Sequence, residues 1–320
     1  MPKTSLKDLV ILSKEYFRKK LSRMIKKVKT PKIIESSFRD PSGFVFTFNN
    51  KIYRQINLIY QQNYDLLLQS GLYQNLVEKK LLLPHRETNL LPLPKTAYKI
   101  IGPEQIPFIS YSYEWCFGQL KDAALTTLKI QKEALGFGMS LKDASSFNIQ
   151  FFLGKPILID TLSFEKYEEG KPWIAYKQFC EQFLAPLALF SYTDMRLNSL
   201  LKTFPDGIPL DLTAKLLPTS ARIKFSLLFH IFLHARSQKK YEAHSISKKS
   251  VFFGKHSFLG LIDSLENAIK NLSWTPSKTV WTNYYSQSNQ ISYDDVSLVE
   301  KKSLVKKYLE TVLPKSLWDI

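Results

Sequence analysis

Three side chains between residues 141 and 165 have the types and spacing of a site that handles phosphate. Asp143 and Asn148 lie five residues apart, and Asp160 follows after a short apolar stretch. In phosphoryl transfer a protein must orient the nucleophile and neutralise phosphate charge. One carboxylate near the acceptor, with an Asn and a second Asp on magnesium, forms a minimal set for this. The spacing therefore predicts Asp143 as a catalytic base and Asn148 and Asp160 as magnesium ligands.

The stretch between Asn148 and Asp160 predicts the element that would bring them together. Its sequence, NIQFFLGKPILID, contains two β-rich runs on either side of residues 153–156, which read as a tight turn. Because the two ends of a hairpin lie side by side, we expect Asn148 and Asp160 at the same end of this one.

A second hairpin is predicted upstream, with its turn at Asn49 and Asn50. Residues 40–56 read DPSGFVFTFNNKIYRQI, in which apolar and polar side chains alternate on both sides of the turn. On the returning strand, Lys51 or Arg54 would contact the phosphates of a bound cofactor. An Arg in that role would be a departure from the usual Lys.

The spacing D-x-x-x-x-N followed by a further Asp resembles the catalytic loop and metal-binding Asp of the protein-kinase and aminoglycoside-phosphotransferase superfamily. The resemblance implies Mg-ATP and a protein-kinase-like α+β fold of two lobes, one small and β-rich, the other larger and mainly helical. Two parts of the pattern are missing. Leu141 and Lys142 stand where a His would precede the catalytic Asp, and no G-x-G-x-x-G loop lies upstream. Turn and helix-cap roles for the three site residues therefore remain an alternative.

Longer strings across almost the whole chain resemble a second family. They are SSFRDPSGFVF, IYRQI, SGLY, IPFISYSYEW, QLKDAALTTL, LKDASSFNIQF, GKPILIDTLSFE and QFCEQFLAPLAL. They are similar to the amino-terminal region of nodulation-protein-like class I S-adenosylmethionine-dependent methyltransferases. In that family a methyltransferase domain follows, and residues 314–320 resemble the start of its first strand. The resemblance implies S-adenosylmethionine as the cofactor of a domain that is absent here, so the chain is expected to be truncated and not to transfer methyl groups by itself.

The chain is expected to divide into four parts. These are a basic amphipathic helix (1–34), a small α+β lobe (35–115), a helical lobe (116–286), and a linker, helix and stub of the missing domain (287–320). Within these parts the pattern predicts a strand at 106–115 and helices near 64–80, 118–136, 173–190, 220–236, 256–270 and 303–313.

The charge of the chain is strongly positive and unevenly distributed. Its 320 residues carry 45 basic and 28 acidic side chains, a net charge of +17, and residues 1–30 are the most basic part. A basic amphipathic helix there could bind an anionic membrane or nucleic acid. It could equally pack its apolar face on its own domain and leave its lysines in solvent.

The positions of the cysteine and histidine residues exclude several other classes of site. Cys116 and Cys180 have no C-x-x-C spacing and no signal peptide precedes them, which is typical of a reduced, cytoplasmic protein. His230 and His234 interrupt the longest apolar run, which is far shorter than a membrane span. They lack the Glu and third ligand of a zinc site, so we interpret them as core or partly exposed histidines.

Three functions follow from these observations. The first is a nucleotide-binding or phosphorylated-substrate-binding region that serves a downstream methyltransferase domain. The second is an active small-molecule phosphotransferase that uses Mg-ATP, with Asp143 as base and Asn148 and Asp160 on magnesium. The third is a non-catalytic module that binds lipid or nucleic acid through residues 1–30.

Overall fold

The computed structural model describes residues 31–37, 40–90, 96–236, 252–275 and 294–317. The chain divides into two units, Met1–Ser273 and Trp274–Ile320. The predicted basic helix of residues 1–34 lies outside the described residues apart from 31–34. There Lys32 and Ile33 form a short strand instead of a helix.

A five-stranded antiparallel sheet forms the first part of the larger unit, with the order β1-β2-β3-β5-β4. Its strands are β1 (Lys32–Ile33), β2 (Gly43–Phe48), β3 (Lys51–Asn57), β4 (His85–Glu87) and β5 (Ala97–Pro103). The predicted β2–β3 hairpin is confirmed. Its turn residues Asn49 and Asn50 have φ values of 49° and 59°, a left-handed conformation that asparagine adopts at low cost.

Two short helices, α1 (Gln61–Gln69) and α2 (Leu72–Glu78), connect β3 to β4. The prediction of one continuous helix over residues 64–80 is therefore wrong. Gly71 has a φ of 84°, a conformation that ends a helix, and the chain restarts as α2. Tyr64 and Leu67 on α1 are buried.

The strand predicted over residues 106–115 is wrong. The strand of this region is β5, and Ser112–Glu114 forms a 3-10 turn in which the Glu114 carboxylate accepts the N–H of Tyr111 at 2.8 Å. The strand β5 ends at Pro103, and because Pro103 and Pro107 offer no N–H, the ladder is not extended into residues 106–115.

The predicted helix of residues 118–136 is confirmed as α3 (Phe117–Gly136), whose buried face includes Leu120, Ala124 and Leu128. Two small antiparallel pairs follow. They are β6 (Met139–Leu141) with β9 (Phe164–Lys166), and β7 (Ile149–Phe152) with β8 (Lys155–Leu158).

The β7–β8 pair is the hairpin that the sequence predicts between Asn148 and Asp160. Its turn residues Leu153 and Gly154 have φ values of 51° and 76°, as expected for a two-residue turn between antiparallel strands. The register pairs Ile149 with Leu158, so the chain enters and leaves the hairpin at one end.

The rest of the larger unit is helical and packs on α3 around one extensive apolar core. Its helices are α4 (Tyr176–Phe179), α5 (Ala185–Tyr192), α6 (Leu200–Thr203), α7 (Leu210–Leu216), α8 (Phe225–Leu227) and α9 (Lys255–Asn271). π-helical turns at Cys180–Leu184 and Leu228–Leu233 follow α4 and α8. Of the predicted helices, 256–270 agrees closely with α9, whereas the region 220–236 begins as a 3-10 helix at Thr219–Ile223.

The smaller unit contains α10 (Asp295–Val312), which begins eight residues before the predicted 303–313 helix. The earlier start has a local cause, because the Asp294 side chain accepts the N–H of Ser297 at 2.7 Å and caps the helix. None of the described helices combines the length and apolar character that a membrane span requires.

The described fold is thus a mixed α/β arrangement with a small antiparallel sheet and many helices. The two-lobed division at residue 115 and the boundary at 286 stay predictions.

Gly43 offers a test of how closely β2 approaches β3. A Cβ at Gly43 would overlap the carbonyl oxygen of Gln55 and lie 2.9 Å from Leu162 Cδ1. We expect Gly43→Ala to lower the free energy of unfolding by about 1–3 kcal/mol, measured by urea denaturation with tryptophan fluorescence. Gly260→Ala on α9 is the control, because a Cβ there meets nothing within 4 Å and should stabilise the helix by about 0.5–1 kcal/mol. Unchanged stability of Gly43→Ala would contradict this packing.

Candidate functional site

Four charged side chains from four separate segments form one group, which we call the charge cluster: Asp40, Arg54, Lys142 and Asp160. Arg54 on β3 makes the shortest contact, with Nη1 2.7 Å from Asp160 Oδ1. Asp40, before β2, lies between the two cations. Its Oδ2 is 3.7 Å from Arg54 Nη2, and its Oδ1 is 3.6 Å from Lys142 Nζ. The cluster joins the sheet to the segments that follow β6 and β8.

Asp160 is the most firmly held member of the charge cluster. Its Oδ1 accepts the N–H of Leu162 at 2.7 Å, which opens a 3-10 turn at Thr161–Ser163. The side chains of Arg54 and Asp160 are only 15% and 13% exposed. In such shielded surroundings the Coulomb attraction between the two charges is stronger than at the surface, and loss of one partner would leave the other charge uncompensated.

Asn148 lies at the end of the β7–β8 hairpin that leads to Asp160. Its carbonyl oxygen accepts the N–H of Ile159 at 2.8 Å, and its Nδ2 donates to Ser163 Oγ at 3.3 Å. The carbonyl of Ser163 in turn accepts the N–H of Lys142 at 2.8 Å. The structure therefore brings Asn148 and Asp160 to one place, as the hairpin register requires.

Asp143 has a different environment from the other two predicted site residues. Its Oδ1 accepts the N–H of Ser145 at 3.0 Å and Gln178 Nε2 at 2.8 Å. The Oε1 of Gln178 also accepts the N–H of Ala144 at 2.7 Å, so the carboxylate is fixed on a tight turn directly after Lys142. These contacts are those of a turn residue. The catalytic role of Asp143 stays a prediction.

The structure separates the two cations that the sequence offers for phosphate contact. Arg54 belongs to the charge cluster, whereas Lys51 is exposed at the hairpin end of β3, opposite Phe48. Lys51 lines a different cavity of about 610 Å³, together with His85 and Arg86.

Tyr60 lies beneath the charge cluster and was not singled out by the sequence pattern. Its hydroxyl donates to the carbonyl of Phe164 at 2.5 Å, and Lys142 Nζ lies 4.9 Å from its ring centroid. Burial, with the nearby charge of Asp160, raises the pKa of Tyr60 well above its usual value, so the ring remains neutral.

Asp40 and Lys142 were also missed as site residues. The only sequence signals for them were the D-P-S turn and the position next to Asp143.

His85 connects β4 to the residue after Asp160. Its Nδ1 lies 3.4 Å from Thr161 Oγ1 and its Nε2 lies 3.1 Å from the hydroxyl of Tyr64. Burial lowers the pKa of His85 to about 4, although the charge of Glu87 opposes this shift.

The interpretation of His230 as a core histidine is confirmed. The residue is buried, with Nδ1 2.8 Å from the Tyr176 hydroxyl and Nε2 2.9 Å from Ser264 Oγ. Within the described ranges, no group of three or more His, Cys, Asp or Glu side chains could hold a metal ion.

Comparisons with known proteins support one of the two resemblances. The chain is 30% identical to "Nodulation protein NoeA" of Rhizobium meliloti (strain 1021) over 311 residues, which is 93% of this chain and 63% of that protein. The predicted similarity to nodulation-type proteins is thereby confirmed, and the chain spans less than two thirds of that relative's length. The methyltransferase class stays a prediction. No protein-family model matches the chain.

A solved structure, "Structure of vaccinia related kinase 3", aligns with a TM-score of 0.38 and 11% sequence identity. The alignment covers 77% of this chain and 87% of the kinase chain.

The lowered pKa of His85 predicts a loss of stability on acidification. Its folded pKa of about 4 lies below the ordinary value of 6.5, so between these pH values the unfolded chain binds a proton that folded His85 does not. Stability therefore falls as the pH drops from 6.5 towards 4 and levels off below that. We expect His85 to account for about 2 kcal/mol of loss between pH 7.5 and pH 5.

The measurement is urea unfolding at several pH values, comparing wild type with His85→Gln. The variant should show a shallower decline between pH 6.5 and pH 4, while His256→Gln, at an exposed histidine on α9, should follow wild type. Parallel pH profiles for wild type and His85→Gln would contradict the assignment.

Proposed function

We propose that the charge cluster and the adjoining end of the β7–β8 hairpin bind the phosphates of a magnesium nucleotide. The observation that carries this proposal is the 2.7 Å ion pair between Arg54 and Asp160, with Asn148 held at the same hairpin end. In protein kinases the phosphate-contacting cation is on the third strand, and an Asn and a later Asp hold magnesium. Here Arg54 is on β3, and Asn148 and Asp160 flank β7 and β8. This order supports a kinase-like arrangement.

The oxygen atoms near the hairpin end suit magnesium. Mg²⁺ is usually bound through one or two carboxylates plus substrate phosphates and keeps several waters. One oxygen of Asp160 is engaged by Arg54 and Leu162, and within the described residues its Oδ2 and the Oδ1 of Asn148 accept no hydrogen bond. These two atoms would hold the metal, and the ion would supply charge neutralisation for the phosphates.

Charge balance favours a metal-bound ligand over a free polyphosphate. The charge cluster has two cations and two carboxylates, so it is neutral as a group. A polyphosphate would bring several negative charges beside Asp40 and Asp160, and a divalent cation would offset that repulsion. In this arrangement Arg54 orients a phosphate, and its ion pair with Asp160 fixes the carboxylate that would bind the metal.

Substitution of Asp160 tests nucleotide binding. We expect Asp160→Asn to weaken Mg-ATP binding at least about tenfold, because the metal loses a charged ligand and Arg54 loses its partner. Isothermal titration calorimetry measures the affinity, and the melting temperature without nucleotide reports any structural damage separately. Asp194→Asn is the matched control, since Asp194 forms an exposed ion pair with Arg196 instead. Wild-type protein that shows no magnesium-dependent ATP binding would refute the proposal.

A second candidate function, phosphoryl transfer, is favoured by the way Asp143 is held. Gln178 and the Ser145 N–H fix one carboxylate oxygen, on the residue next to Lys142 of the charge cluster. A base in phosphoryl transfer needs such a fixed orientation towards the acceptor hydroxyl.

Asp143→Asn separates transfer from binding, because the amide oxygen can still accept both hydrogen bonds. We expect the variant to retain Mg-ATP affinity and to lose at least about a hundredfold in transfer rate, measured with labelled ATP over a panel of small hydroxyl acceptors. An unchanged transfer rate would remove Asp143 as the base.

The relation to methyl transfer is a further part of the proposal. Its support is the sequence resemblance given above, from which we propose that the nucleotide site serves a neighbouring methyltransferase domain that binds S-adenosylmethionine.

Binding of an anionic membrane or nucleic acid concerns residues 1–30, which lie outside the described residues, and it stays a prediction. The cytoplasmic location is likewise a prediction.

A further inference from the structure

We infer that Arg54 and Lys142 form a phosphate subsite and that the carboxylate of Asp40 fills this subsite when no ligand is bound. The inference rests on the proposed nucleotide function and adds to it the residues that contact a phosphate and the group that must leave. The subsite would accept a phosphate ester, as in a nucleotide, or a free phosphate anion.

The first support is the bridging geometry of Asp40. Its two oxygens approach cations from different parts of the fold, Arg54 on β3 at 3.7 Å and Lys142 after β6 at 3.6 Å. A phosphate group also presents several oxygens to separate cations, and guanidinium and ammonium groups both bind it well. The Asp40 carboxylate therefore lies where a phosphate would find both cations.

The second support is the difference between the two ion contacts of Arg54. Its contact with Asp160 is 2.7 Å, a charge-assisted hydrogen bond, whereas both contacts of Asp40 with the cations are longer than such bonds. The Asp40 side chain is 33% exposed, and that of Asp160 is 13% exposed. Of the two carboxylates, Asp40 therefore has the weaker contacts with the cations, and it is the one that an incoming anion would displace from them.

The third support is that each cation has a further contact besides the Asp40 carboxylate. Lys142 Nζ donates to Ser42 Oγ at 2.8 Å and lies over the neutral ring of Tyr60. Arg54 is anchored by Asp160, and its Nε is buried with no hydrogen-bond partner among the described residues. A buried donor without an acceptor costs free energy, and a phosphate oxygen would supply the acceptor.

The segment that carries Asp40 is a turn whose carboxylate lies beside both cations. Asp40 Oδ1 accepts the N–H of Ser42 at 2.8 Å and its carbonyl accepts the N–H of Gly43 at 3.3 Å, so the residue begins the turn into β2. In kinases a glycine-rich loop covers the nucleotide phosphates. Here an acidic turn lies over the cations, and its carboxylate would compete with the ligand.

The test compares pyrophosphate without metal and Mg-ATP as ligands of the full chain, by isothermal titration calorimetry. We expect Asp40→Asn to bind pyrophosphate at least fivefold more tightly than wild type, since the amide keeps the turn but loses the competing charge. The double variant Asp40→Asn/Lys142→Met should lose this gain. Asp194→Asn controls for net charge, and Glu165→Gln controls for a carboxylate that interacts with Lys142. Circular dichroism and melting temperature verify the fold of each variant.

The outcomes separate this inference from the proposed function. If Asp40→Asn binds pyrophosphate no more tightly than wild type, or if Glu165→Gln gains equally, the subsite is overturned, whatever the result with Mg-ATP. If Asp40→Asn gains affinity for pyrophosphate but no variant binds Mg-ATP, the subsite stands as a phosphate site and the nucleotide function falls. A gain for both ligands supports the two together.

Discussion

The ion pair between Arg54 and Asp160 is the contact on which the candidate site depends. It joins β3 of the sheet to the segment after the β7–β8 hairpin, and both side chains are largely shielded from solvent. Removing one partner of such a pair leaves an uncompensated charge, which typically costs about 3–5 kcal/mol. Apolar contacts reinforce this connection, because Leu162 packs with Ile56 and Tyr60 in one buried cluster. Charge and packing together fix the sheet against this segment.

The two carboxylates of the charge cluster differ in how closely they contact the cations. Both carboxylates accept a backbone N–H, but the contact of Asp160 with Arg54 is short and shielded, whereas Asp40 is more exposed and reaches both cations over longer distances. The proposed phosphate subsite uses this combination, with one carboxylate that keeps the arginine in place and another that would give way to the ligand. Tyr60 beneath the cluster remains neutral and adds no competing charge.

Local patterns predicted the elements whose determinants are local. Both hairpins close with two-residue turns at the predicted positions, and α3 follows a continuous apolar stripe. The predictions failed where a long-range or backbone constraint decided the outcome. The segment after Pro103 has strand-like composition, but Pro103 and Pro107 have no N–H with which to extend the ladder. The helix predicted over residues 64–80 divides at Gly71, whose left-handed conformation overrides the apolar period.

The order and spacing of the candidate site residues follow from the sequence alone, because turn chemistry fixes which residues lie at the two ends of a hairpin. It thus placed Asn148 near Asp160. Which cation joins them depends on the tertiary structure. Strand pairing and packing put Arg54 in the charge cluster and Lys51 at the exposed end of the same strand, beside another cavity. The contacts of Asp40 and Lys142 also depend on tertiary structure, since these residues lie about a hundred positions apart in the chain and meet only when β2, β3 and β6 are assembled. Contacts between such distant segments leave no periodic trace in a single sequence.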